Sequence, residues 1–103
     1  VGKMGRKSRG KGYRGEYNLV QVFRKENLSA IRVPLSGATD FAKGDVVVEG
    51  MVGEVKMRRN GFKELYKWLA NKDLLFLKAD REDYLCVMPI SKFMQLMKGV
   101  KKR

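Results

Sequence analysis

The spacing of apolar positions along this chain changes several times, and each change marks an element. After Glu16, the apolar residues Leu19, Val20 and Phe23 follow at three, four and seven places, which predicts a helix to about Asn27. Glu16 shares the core-facing side of that helix. Ala30 to Pro34 predicts a first strand carrying Arg32, and Leu35 to Gly44 a loop marked by Ser36-Gly37 and Lys43-Gly44. Val46, Val47 and Val48 are β-branched and predict a strand. Glu49-Gly50 predicts the reversal, since glycine accepts the positive φ of a tight turn, and Met51 to Met57 the returning strand. Phe62 to Asn71 predicts a short helix with Phe62, Leu65, Tyr66 and Leu69 as its core stripe. Leu74 to Lys78 and Tyr84 to Met88 predict two more strands, and Ser91 a cap for a last helix striped by Phe93, Leu96, Met97 and Val100. The order helix, strand, hairpin, helix, strand, strand, helix predicts an α/β fold, a central mixed β-sheet flanked by helices.

The hairpin also carries candidate chemistry. With a two-residue loop Val48 faces Met51, and counting outward sets Asp45 opposite Glu54. Opposed residues of an antiparallel pair lie on one face with Cβ atoms about 4.5–5.5 Å apart. Lys56, two residues beyond Glu54, shares that face. A one-residue slip would exchange the faces, so the turn decides the chemistry. Two carboxylates this close repel unless a proton or cation intervenes, and a magnesium ion typically takes one or two carboxylates plus a phosphate. A lysine beside such a site can steady phosphate or help position a water. The plain alternative is a solvated hairpin face with ordinary charges. Glu16 in a first helical turn can likewise be a complement to the helix dipole, although its core-side position directs it toward the hairpin acids.

Charge changes the picture further. The 103 residues carry 23 Lys and Arg against 11 Asp and Glu, a net charge of +12, which points to a polyanion and to nucleic acid first. Residues 1–15 hold Lys3, Arg6, Lys7, Arg9, Lys11 and Arg14 with five glycines and no acid, which predicts a flexible basic arm on a DNA backbone. Residues 16–100 form the predicted domain and 101–103 a basic tail. With no histidine and one cysteine, His- and thiolate-based zinc sites and Ser-His-Asp triads are excluded. Catalysis would rest on carboxylates, lysine and hard metal ions. Cys86, in the apolar run Tyr84-Leu-Cys-Val-Met88, is expected to be buried and inert. No apolar run reaches membrane-spanning length and no secretory pattern occurs, so an intracellular, cytoplasmic protein (host cytoplasm if viral) without a membrane partner is expected.

Asp45 with Glu54-Val-Lys56 resembles the PD-(D/E)xK nuclease superfamily, in which an Asp at a strand start precedes Glu-x-Lys on the next strand. More narrowly, Lys11-Gly-Tyr-Arg-Gly-Glu16, Arg32, Ser36-Gly37 and Lys43-Gly-Asp45 are similar to the small Holliday-junction resolvases of archaea and their phage relatives. The resemblance covers about residues 11 to 98. It implies a restriction-endonuclease-like core and a metal-dependent endonuclease that resolves four-way DNA junctions by symmetric phosphodiester hydrolysis. It further implies Asp45, Glu54 and Glu16 as ligands of Mg2+ (with Mn2+ as a substitute) and Lys56 as the catalytic lysine. DNA contacts are expected from Arg9, Lys11, Arg14, Arg32, Ser36, Arg58 and Arg59. Gly44 replaces the proline of the superfamily name, Tyr17 stands where archaeal resolvases often carry Arg, and the loop between Arg32 and Asp45 is longer than theirs. Two symmetric cuts imply a homodimer, for which Trp68 and Met94, off the core stripes, are candidate anchors. A related nuclease for flaps or other repair intermediates, and a non-catalytic basic nucleic-acid-binding domain, are the alternatives. Ser36, Thr39 and Asp40 are further candidates for substrate contact, in a loop of otherwise ordinary composition.

Overall fold

The computed structural model describes residues 2–33 and 44–101, and of residues 2–13 the backbone alone. Ser36, Thr39 and Asp40, with the loop that carries them, lie outside the described residues. The elements are α1 (Gly2–Lys25), β1 (Ala30–Arg32), β2 (Val46–Val48), β3 (Met51–Gly53), α2 (Lys63–Leu69), β4 (Leu75–Leu77), β5 (Leu85–Val87) and α3 (Ile90–Lys101). The mixed α/β character and the element order match the sequence pattern. The single mixed sheet does not: β1, β2 and β3 form one antiparallel sheet, β4 and β5 another. Hydrophobic periodicity identifies strands but says nothing of which edges meet. The chain divides into two compact units, Val1–Met57 and Arg58–Arg103.

In the first unit α1 starts at Gly2, fourteen residues before the predicted start, so the segment expected as a flexible arm is helical. Its glycines argue against that. The Lys, Arg and Met between them are good helix formers, no proline interrupts, and a helix nucleated downstream propagates at one hydrogen bond per residue. The C-terminal end follows directly from local sequence. Asn27 takes the left-handed conformation at φ 61°, its N–H donates to the Arg24 carbonyl, and the Leu28 N–H reaches back to the Phe23 carbonyl at 3.1 Å. These are the paired bonds of a Schellman cap, with Phe23 and Leu28 as its hydrophobic contact. Both are buried, and with Val20, Ala30, Val46 and Val48 they make the core between α1 and one face of the sheet. The Arg24 Nε donates to the Ala30 carbonyl at 2.9 Å and ties the helix to β1.

The hairpin reverses at Glu49 (φ 48°) and Gly50 (φ 78°), both positive as a type I′ turn requires. Val48 therefore pairs with Met51, Val47 with Val52 and Val46 with Gly53. Glu49, a residue that left-handed backbone strains, is held by Ser29: its N–H donates to the Ser29 carbonyl and its carboxylate accepts the Ser29 N–H. On the other side of β2, Arg32 pairs with Val46 and Ala30 with Val48.

In the second unit α2 is short, and its Tyr66 is 76% exposed, so it is not a core residue. Phe62, Leu65 and Leu69 are only partly covered, and no described residue of this unit is fully buried. Cys86, expected in a core, is exposed, because it pairs with Phe76 on an open face of a two-stranded sheet. Ser91 lies inside α3 and is not its cap; the helix is started by the Pro89 carbonyl, which accepts the Lys92 and Phe93 N–H groups. Among the described residues no helix is long and apolar enough to cross a membrane.

Candidate functional site

Glu16, Arg32, Asp45, Glu54 and Lys56 belong to the first unit, and several contacts draw their positions to one end of its sheet. α1 carries Glu16 on the core side, as its spacing with Val20 and Phe23 requires. There the Glu16 Oε1 accepts from the Arg32 Nε at 3.1 Å and forms an ion pair with the Nη2 at the same distance, with both side chains about four-fifths covered. Arg32 is paired with Val46, the neighbour of Asp45, and the Val33 N–H donates to the Asp45 carbonyl at 2.9 Å. Gly15 lies so close beneath Met57 that a Cβ there would stand 2.9 Å from the Met57 Cγ. The residue before Glu16 and the residue after Lys56 are therefore in contact.

The returning strand is shorter than predicted, since β3 ends at Gly53 and the ladder stops at the Val46–Gly53 pair. The expected strand-face opposition of Asp45 and Glu54 thus falls just beyond it. A different arrangement replaces it. The Asp45 N–H donates to the Gly53 carbonyl at 2.9 Å, and its Oδ2 accepts the Val55 N–H at 2.7 Å. Asp45 grips the chain on both sides of Glu54, and a charged acceptor on a backbone amide is among the stronger hydrogen bonds. Glu54 itself pairs through Oε2 with the Lys56 Nζ at 2.9 Å, both side chains more than half exposed. An exposed pair of this kind contributes little to stability.

Gly44 acquires a reason that sequence alone did not supply. A Cβ at this position would stand 2.6 Å from the Val52 Cγ1 and 2.8 Å from the Gly53 carbonyl oxygen. The oxygen belongs to backbone that also holds Asp45, so neither proline nor any other side chain fits without moving it. The role of the Val55 amide was equally hidden, because a backbone group has no signature in sequence.

The expected three-carboxylate metal set is not assembled. Among the described residues no three acidic or other ligating side chains come together to hold a metal ion. Glu16 is instead paired with the Arg32 guanidinium. Asp45 and Glu54 still suit a hard cation. Each presents carboxylate oxygens, each uses one oxygen in the contacts above, and magnesium needs only one or two protein carboxylates when phosphate completes its shell.

Of the remaining candidates, Arg14 is exposed near the start of the core segment of α1, and Arg58 and Arg59 are exposed at the start of the second unit. Arg9 and Lys11 fall in the part of α1 described by backbone alone, and Ser36 lies outside the described residues. Trp68 is 49% exposed and Met94 partly covered. A shallow apolar groove in the second unit, lined by residues including Phe62, Leu65, Leu69, Val87 and Ile90, contains none of the acids. No family model, curated protein or solved structure matches the chain.

Proposed function

We propose that this chain is a magnesium-dependent DNA endonuclease of the PD-(D/E)xK type, acting on four-way junctions. The observation that carries the reading is the grip of Asp45 on both sides of Glu54, with Lys56 two residues further on. Carboxylates set among the cations of a nucleic-acid-binding surface would repel phosphate unless a cation is shared with it. Asp45 Oδ1 and a Glu54 oxygen would hold the ion, Mg2+ or its substitute Mn2+. When bound, that ion supplies charge neutralisation at the scissile phosphate and a water of lowered pKa. Lys56, already at Glu54, orients the attacking water or balances charge that develops on the phosphate. Arg32, Arg14, Arg58, Arg59 and the cations of α1 contact phosphates. Groups of this kind favour recognition of shape over base sequence.

The test is incubation with labelled four-way junction, flap and linear duplex, with and without a chelator. Cleavage of the junction that the chelator stops is expected. Preference for flaps would move the substrate to other repair intermediates. Binding without cleavage in Mg2+ and Mn2+ would favour a non-catalytic nucleic-acid-binding domain, a reading supported by each acid's having a protein donor of its own.

The basic segment gives a separate prediction. Deleting residues 1–10 removes Lys3, Arg6, Lys7 and Arg9. The slope of log K against log salt should then become shallower by up to about 0.9 for each phosphate that these cations neutralise in the full-length chain. An unchanged slope, measured by titration at several salt concentrations, would remove this segment from the DNA interface.

Two symmetric cuts require two copies of the site, so we assign the active form to a homodimer anchored through exposed Trp68 and through Met94. Trp68→Glu should yield folded monomers that lose paired cleavage. Sedimentation of the wild-type chain at micromolar concentration, with and without junction, checks the dimer directly; a monomer in both states would exclude it.

A further inference from the structure

We infer that Glu16 serves the site through Arg32, as a positioning residue that aims the guanidinium at a backbone phosphate, and is not a metal ligand. The inference rests on the nuclease reading for the identity of its substrate, a phosphodiester, and on the Glu16–Arg32 geometry for everything else. The Nε donates to Glu16 Oε1 at 3.1 Å, and the Nη2 on the same edge of the guanidinium pairs with that oxygen at 3.1 Å. One hydrogen bond and a second close ion-pair contact hold that edge of the guanidinium against Glu16. The side chains are 23% and 18% exposed, so water competes weakly for either partner. The backbone beneath Arg32 is fixed too, by its pairing with Val46 beside Asp45.

That arrangement opposes a cation at Glu16. A metal there would stand beside a guanidinium already hydrogen-bonded to the same carboxylate, and arginine cannot shed its charge to make room. The same guanidinium suits phosphate. Its planar fork of N–H donors matches the geometry of phosphate oxygens. The excess positive charge of the whole chain favours the same ligand.

The sign of one measurement separates the two roles. Glu16→Gln removes a negative charge from a DNA-binding protein, so a metal ligand or a bystander should give unchanged or tighter junction binding in the presence of chelator. A positioning residue should give weaker binding, because Gln can offer the guanidinium only a neutral acceptor and the ion pair that holds it is lost. The experiment uses the full chain as wild type, Glu16→Gln, Arg32→Lys, Arg32→Ala and the double Glu16→Gln/Arg32→Ala. It measures junction affinity in chelator and, separately, Mn2+ affinity by calorimetry without DNA. Expected are several-fold weaker junction binding for Glu16→Gln and for Arg32→Lys, and a double variant no weaker than Arg32→Ala alone. Mn2+ affinity should be unchanged in Glu16→Gln and reduced in Asp45→Asn. Unchanged or tighter junction binding by Glu16→Gln, additive losses in the double variant, or a several-fold loss of Mn2+ affinity in Glu16→Gln would each overturn the inference. Failure of the nuclease reading looks different: wild type neither binds Mn2+ nor cuts, while the dependence of junction binding on the pair still decides the role of Glu16.

Discussion

Asp45→Asn should leave a folded protein whose junction cleavage falls by at least about 100-fold, since even outer-shell partners of metal ligands are worth about 10–100-fold. The substitution isolates charge from structure. Asparagine retains an oxygen that can accept the Val55 N–H, and the Asp45 backbone bonds to Gly53 and Val33 do not depend on the side chain. Glu54→Gln should behave alike, with no measurable loss of stability, because its exposed pairing with Lys56 contributes little. Junction affinity in chelator should rise in both, as a negative charge facing phosphate has gone. Full cleavage by either purified, folded variant would sink the assignment of these carboxylates.

Phe23→Ala should have the largest effect on stability, a loss of about 3–5 kcal/mol. Among the described residues Phe23 is one of six buried apolar side chains, all in the first unit, and it also supplies the carbonyl that Leu28 caps. Small domains have total stabilities near the low end of about 5–15 kcal/mol, so the first unit should be largely unfolded in the variant. Urea titration followed by far-ultraviolet circular dichroism measures it. An unchanged midpoint would show that this core does not hold the unit together. Phe23→Leu, which keeps most of the apolar volume, should lose far less.

What the sequence made legible were features with local causes. Val-Val-Val-Glu-Gly determined a two-residue turn and through it the register Val48–Met51. The helical spacing put Glu16 on the core side, where the structure has it. Features with distant causes were not legible. The strand expected to run to Met57 stops at Gly53, where Asp45 takes the Val55 amide. The partner of Glu16 comes from sixteen residues away, and nothing in the spacing distinguishes an arginine from a metal ion as its counter-charge. Cys86 and Tyr66 sit in apolar stretches that a sequence reads as core, yet the second unit leaves them open. The basic segment misled through its glycines, whose propensity is a weak prior against a helix already running downstream.

The hydrogen bond from the Val55 N–H to Asp45 Oδ2 turns one backbone amide into a reporter of a side chain's charge. The proton of that amide is deshielded in proportion to the negative charge on its acceptor. Whatever withdraws charge from the carboxylate, such as a cation on the other oxygen, changes the resonance of Val55 without touching it. The nearest neighbour on the chain is Glu54, so the signal arises beside the second candidate ligand. A single nitrogen–proton cross-peak can thus follow cation binding at this end of the sheet, with no chemical probe attached and no substrate present.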